Sequence, residues 1–245
     1  MSDEHMSDEQ TGGGGRCLAG RGAFITLEGG HGAGKTSLAR DLVARLEQRG
    51  QRVLAVREPG STPLGQTIRD MLLAHDRDDM EPLAELLLFM AARVQLVKRR
   101  IEPALAAGTW VVCDRFIDSS VVFQGRAMGI ARVQEIIRVC LGSLKPDLTL
   151  ILDIDPVRAQ ARLDHTAMDS SFYQSKAQTF HQHIRDGFAA VAAAEPDRCV
   201  MIDADQPLAK VRDRLWTAVQ AKLQAKLQAK PQPKLLAKEN AHVRK

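Results

Sequence analysis

The sequence predicts an α/β fold in three layers: a five-stranded parallel sheet covered by helices on both faces. Three observations predict it. Short apolar runs alternate with stretches of helical period along most of the 245 residues. Those runs are continuous rather than alternating, as strands buried on both faces must be. A glycine-rich turn follows the first run and opens the first helical stretch, which is the strand-to-helix order of a parallel sheet.

The elements follow in order. Phe24–Glu28 reads as a strand and Lys35–Gln48 as a helix stopped by Gly50. Arg52–Val56 is a second strand, ended by Pro59 and Gly60. Residues 65–74 and 82–107 have helical period, and Gly108 closes the second stretch. Trp110–Cys113 is a third strand, residues 114–125 a loop, and Ala131–Leu141 a helix. Leu148–Asp153 is a fourth strand, followed by a helix over Pro156–Leu163, the polar stretch "DHTAMDSSFYQ" and a helix over Ser175–Ala194. Cys199–Ile202 is the fifth strand and Pro207–Leu223 the last helix. The expected organisation is a flexible leader over 1–23, one domain over 24–223 with a lid around 163–180, and a basic tail over 224–245.

Composition bounds the function. With 44% hydrophobic and 26% charged residues, the chain belongs with ordinary globular proteins. No apolar run reaches the length of a membrane span, and the start lacks the charged-then-apolar order of a signal peptide. Cys17, Cys113, Cys140 and Cys199 have no paired spacing, so they read as reduced thiols in a cytoplasmic protein without a zinc site. The formal charge of +4 is a property of the ends. Residues 221–245 hold seven Lys/Arg against one Glu, while 1–16 hold Asp3, Glu4, Asp8 and Glu9 against Arg16. The body is close to neutral, and lysines without interleaved aromatics imply no specific nucleic-acid partner.

The turn itself carries the chemistry. Gly29-Gly30-His31-Gly32-Ala33-Gly34-Lys35-Thr36, with Ser37 after it, matches G-x-x-x-x-G-K-[ST] at every fixed position. Glycines let successive backbone N–H groups point inward at phosphate oxygens, and the helix N-terminus adds partial positive charge. Lys35 is expected to reach the β- and γ-phosphates, and the Thr36 hydroxyl to ligate Mg²⁺. The motif predicts a P-loop NTPase fold binding ATP or GTP and leaves the reaction open.

Four further segments narrow it. "AVREPGSTPLG" sets Arg57 and Glu58 at the same sheet edge as the loop. There Arg57 can grip a phosphate, while Glu58 can hold a sugar hydroxyl or a metal-bound water. "LLLFMAARVQLV" puts Phe89 and Arg93 on one helical stripe, where they can stack on a base and bond its edge. "WVVCDRFIDSSVVFQG" ends the third strand with Asp114, which fits a metal-holding carboxylate. Arg115 beside it can neutralise phosphate charge. Ser120, Phe123 and Gln124 follow and can line a pocket.

Together these segments resemble the thymidylate kinase family over about residues 24–220. The resemblance rests on Leu27-Glu28-Gly29 before the loop, Arg57-Glu58-Pro59-Gly60-Ser61-Thr62, Phe89 to Gln95, and Asp114 to Gly125. It implies transfer of a phosphoryl group from ATP to dTMP, with Mg²⁺, by a homodimer. By matched position it implies that Lys35 and Thr36 serve ATP and Mg²⁺, and that Arg57 and Arg115 grip the dTMP phosphate. Asp114 and Glu58 then stand beside the metal. Phe89 stacks on thymine, Arg93 contacts its carbonyl, Ser120 and Gln124 help read it, and Phe123 crowds the 2′ position of the sugar. Arg162 matches a common family arginine facing ATP.

Two departures stand out. His31 occupies the loop position where bacterial members of the family carry an acidic residue. The expected lid contains no arginine; it offers His165 and Lys176, with Arg158 and Arg162 before it and Arg185 after it. The alternatives these departures leave are a P-loop kinase with another nucleotide or nucleoside acceptor, and a nucleotide-binding protein degenerate in catalysis.

Overall fold

The computed structural model describes residues 20–74, 80–164 and 178–228. Five strands form one parallel sheet: β1 (Phe24–Gly29), β2 (Val53–Arg57), β3 (Trp110–Asp114), β4 (Leu148–Asp153) and β5 (Cys199–Asp203). Their order is β2-β3-β1-β4-β5. The chain steps to one side of β1 and then to the other, so the order reverses at β1, the place where such sheets collect ligands. The register sets Leu27 against Asp114, and Asp114 against Arg57. The loop after β1, the end of β2 and the end of β3 therefore share one edge.

Strand alternation sends Ile25 and Leu27 to one face and Phe24, Thr26 and Glu28 to the other. On the first face, Leu38, Leu42 and Leu46 of α1 (Lys35–Glu47) and Val211, Leu215 and Val219 of the C-terminal helix join one buried cluster. On the second face, Leu86, Met90 and Leu96 of α3 (Pro82–Leu96) and Val133, Ile137 and Leu141 of a later helix close over Phe24, Val111 and Cys113. Each fully buried Leu or Ile contributes about 1.5–3 kcal/mol relative to an exposed one. The helix α2 (Pro63–Ala74) packs beside α3 through Ile68, Leu72 and Ala92. No helix among the described residues is long and apolar enough to cross a membrane.

Three expectations need correction. The helical stretch over 82–107 is not one α-helix. After α3 the chain makes a π-helical turn, Val97–Ile101, and resumes as α4 (Glu102–Ala106). Pro103 lacks the N–H that an unbroken α-helix would need there, so the ladder changes register just before it. Second, residues 114–125 are not a loop. Ile117–Phe123 forms α5 and Gly125–Met128 forms α6, ahead of α7 (Ile130–Leu141). The run of Ser119, Ser120, Val121 and Val122 has neither helical propensity nor a clear period; its turn is held by buried polar contacts that sequence does not display. Third, after α8 (Pro156–Asp164) and α9 (Gln178–Ala194), the final helix α10 runs over Leu208–Gln228, past the expected stop. It is broken at Leu223, whose φ of −123° is not helical. Leader residues 1–19, tail residues 229–245 and 165–177 of the expected lid lie outside the described residues.

Candidate active site

Loop 29–36 joins β1 to α1 as the glycine pattern requires. Gly29, Gly32 and Gly34 have φ of +133°, +74° and +87°. At Gly32 the requirement is also steric, since a Cβ there would lie 2.3 Å from the Ala159 carbonyl oxygen of α8. Lys35 turns back over the loop, and its Nζ donates to the carbonyls of Gly29 at 3.2 Å and Gly30 at 2.6 Å. Burial and the neighbouring Arg115 guanidinium bring this ammonium down to about 7. Thr36 Oγ1 donates to Asp114 Oδ2 at 2.6 Å across the edge between α1 and β3.

A cavity of about 450 Å³ opens above this edge. His31, Gly32, Gly34, Lys35, Thr36 and Ser37 of the loop line it. Arg57, Glu58, Phe89, Arg93, Ser120, Phe123 and Gln124 border the same cavity, as do Asp114, Arg115 and Arg162. Nearly all the residues singled out in the sequence thus border one volume. Besides Arg158 and Arg185, the exceptions lie inside the loop. Gly30 lines a small neighbouring cavity, Gly29 offers its carbonyl to Lys35 and Arg115, and the Ala33 methyl packs in the core. His31 meets Phe123 edge-on, with ring centroids 6.0 Å apart. Arg162 donates to the Ala204 carbonyl at 3.0 Å.

Arg115 follows β3 in a left-handed conformation, φ +70°, uncommon for a non-glycine residue. Its Nη1 donates to the Gly29 carbonyl and to Ser119 Oγ, each at 3.0 Å, and the guanidinium stands 5.4 Å from the Phe123 ring centroid. Glu28 lies beneath, fully buried. It accepts the Phe116 N–H at 2.7 Å and the Ser119 hydroxyl at 2.6 Å. Burial, with the nearby Asp118 charge, pushes this carboxyl up to about 7.

Arg93 is 2% exposed. Its Nε donates to Glu58 Oε2, Nη1 to Ser120 Oγ at 3.0 Å, and Nη2 to the Phe116 carbonyl at 3.0 Å. Two of the expected site residues thus meet Arg93. Glu58, expected beside a metal, is the counter-ion that the buried Arg93 guanidinium needs. Ser120, expected to help read the base, accepts from Arg93. The Glu58 carboxyl is driven up to about 7 by burial, against the pull of Arg93. Its Oε1 is buried without a hydrogen-bond partner among the described residues. The carboxylate oxygens near Thr36 come from Asp114 rather than Glu58.

Sequence reading missed Arg69, Ser119 and the role of Glu28. Arg69 sits on α2 beside the buried stripe of Ile68 and Leu72, borders the cavity and donates to the Pro59 carbonyl at 3.2 Å. Burial and the like charges of Arg57 and Arg115 lower its guanidinium below the usual range. Its flanking position on an amphipathic helix was the available signal. Outside the cavity, Arg185 is held by Asp153 at 2.6 and 2.9 Å, and Arg158 by Asp205 at 2.9 Å.

A parallel sheet whose order reverses at β1, a glycine loop capped by a returning lysine, and a carboxylate on the next strand within reach of the loop threonine define a P-loop nucleotide-binding protein. Residues 27–215 match the family model for thymidylate kinase, and the chain belongs to the thymidylate kinase family. It is 40% identical over 207 residues to a thymidylate kinase of Magnetococcus marinus, spanning 82% of this chain and 97% of that one. It is 45% identical to one of Rhodopseudomonas palustris, spanning 83% and 90% of the two chains. The crystal structure of thymidylate kinase from Ehrlichia chaffeensis superposes with a TM-score of 0.67 at 29% identity, covering 82% of this chain and 99% of that one.

Proposed function

We infer that the protein transfers the γ-phosphoryl group of ATP to dTMP, giving dTDP and ADP. The observation that carries this reading is one cavity bordered both by a phosphate loop and by Phe89 and Arg93, in a chain of this family. Five further guanidiniums, Arg40, Arg57, Arg69, Arg115 and Arg162, border the same volume. Two anionic substrates meeting end to end need that concentration of fixed positive charge.

We assign ATP to the loop 29–37 with Lys35 on its phosphates, and Arg162 to its outer side. dTMP lies against α3, its phosphate on Arg57 and Arg115 and its base between Phe89 and the polar wall of Arg93 and Gln124. The phosphate of dTMP is largely ionised at neutral pH, so no general base has to deprotonate it. The chain's work is to align the attacking oxygen with the γ-phosphorus, to offset charge and to exclude water. Thr36 Oγ1 and Asp114 Oδ2 are hard oxygen donors 2.6 Å apart, a set that suits Mg²⁺. When bound there, Mg²⁺ supplies charge neutralisation on the ATP phosphates.

We further propose a homodimer. Leu83 and Leu87, one turn apart on α3, are left exposed, and so are Leu64 and Met71 on α2. A cytoplasmic location suits an ATP-consuming enzyme whose Cys113, Cys140 and Cys199 are free thiols.

A coupled assay with dTMP, dUMP, dCMP and dAMP tests the reading. Turnover should be highest with dTMP and should be lost with EDTA. Equal turnover on all four acceptors would remove the base-reading assignment. Bound ATP without turnover on any would remove the kinase assignment. A single monomeric species in sedimentation velocity would remove the dimer.

A further inference from the structure

Glu28 is a carboxylate with no exposure, set on a sheet among apolar neighbours. A buried carboxylate is costly unless its oxygens are matched. Both hydrogen bonds described for it run to the loop and helix start that follow β3, and to nothing else among the described residues. Oε1 takes the Phe116 N–H, and Oε2 takes the Ser119 hydroxyl. Ser119 Oγ in turn accepts Arg115 Nη1. The same loop carries the left-handed backbone of Arg115, which a side chain adopts only when its surroundings over-determine it. Asp118, the other acid of that segment, is already occupied by Arg198 through bonds of 2.7 and 2.9 Å. It leaves Glu28 as the acid that holds the loop.

We propose that Glu28 is a positioning residue for phosphoryl transfer, holding the Arg115 guanidinium over the phosphate loop through Ser119 and the Phe116 amide. The proposal rests on the reading of Arg115 as a phosphate-gripping group. The mechanism is preorganisation: Ser119 spends its proton on Glu28, so its lone pairs face Arg115, and the guanidinium keeps one orientation before substrate arrives. Replacing Glu28 by Gln keeps size and shape but places an N–H₂ or a weaker acceptor against Ser119, and that orientation is lost.

The test is steady-state kinetics of the full chain with ATP and dTMP for Glu28→Gln, Ser119→Ala, Ser119→Thr, Arg115→Ala and the double variant Glu28→Gln/Arg115→Ala, each with a melting curve. Misplacing a charge-stabilising group by about 1 Å costs on the order of 10²-fold in rate. We expect Glu28→Gln to lose about 10- to 10²-fold in kcat/KM for dTMP, with KM for ATP changed less than about twofold. Ser119→Ala should lose part of that activity and Ser119→Thr, which keeps the hydroxyl, should restore it. The double variant should be no slower than Arg115→Ala alone. Multiplying effects in the double variant would overturn the proposal, as would wild-type kinetics for Ser119→Ala even if Glu28→Gln fails to fold. Unchanged dTMP kinetics for Arg115→Ala would instead overturn the underlying reading of Arg115.

Discussion

Arg93 Nε donates to Glu58 Oε2 at 2.5 Å, in a wall where the two side chains are 2% and 4% exposed. Neither group is stable there alone. Removing one partner of such a pair leaves an uncompensated buried charge, at about 3–5 kcal/mol. Glu58→Ala should therefore lower the melting temperature strongly. It should also raise KM for dTMP more than KM for ATP, because Arg93 loses its anchor. Arg93→Ala should raise KM for dTMP on the order of 10²-fold with a small change for ATP; Arg93→Lys should not restore it, since an ammonium cannot fill three directions of a planar fork. Equal effects on both substrates would contradict the assigned pocket.

Glu28 and Glu58 make the unliganded protein less stable as the solution turns from acid to neutral. Both carboxyls are raised from 4.5 to about 7 in the fold. Between those values the native state binds more protons than the unfolded chain, so stability falls as pH rises, and the loss is complete above about 7. Melting temperatures at pH 5.5 and 7.5 should differ in that direction, and Glu28→Gln should narrow the gap. A gap unchanged by that substitution would remove Glu28 as a source.

Lys35 titrates near neutrality in the empty loop because burial and Arg115 disfavour its charge. Phosphates bound beside it reverse that preference, so nucleotide binding should take up protons near pH 7.5. Calorimetry of ADP binding in two buffers of different ionisation enthalpy reads this directly. Lys35→Met should remove the buffer dependence. If wild type and variant behave alike, the amine is not the proton acceptor.

His31 borders the cavity edge-on to Phe123, at the loop position where charge could assist transfer. An imidazole is a weaker source of fixed charge than a guanidinium. His31→Arg should raise kcat several-fold, well below the 10³–10⁵ of an arginine finger, because the backbone there was not shaped for one. A slower enzyme would indicate that the site already has enough positive charge.

The layers were legible because β1, β3 and β4 are continuous apolar runs, which only a sheet covered on both faces explains. Lys35 and Thr36 could be singled out because the loop motif has fixed short spacing, and Asp114 because it ends an apolar strand. What escaped was fixed through space. Glu28 and Ser119 are 91 residues apart and meet only because β1 and β3 are neighbours. Arg69 reads as one more surface arginine until α2 folds back over Pro59. The helix over Ile117–Phe123 hid behind serines and β-branched residues whose turn depends on buried Glu28. The pairing of Glu58 with Arg93 was likewise hidden, because the two lie 35 residues apart.

The close approach of Gly32 to Ala159 also limits how this loop can diverge. Gly29 and Gly34 are held to left-handed backbone, Ala33 is wedged in the interior, and Lys35 and Thr36 are bound by their duties. A side chain at Gly30 would meet nothing within 4 Å, and His31 already carries a side chain at the cavity, against Phe123. Innovation in this segment therefore has two doors, positions 30 and 31, and a library restricted to them should yield the loop's viable variants while one spread over its neighbours yields mostly dead protein.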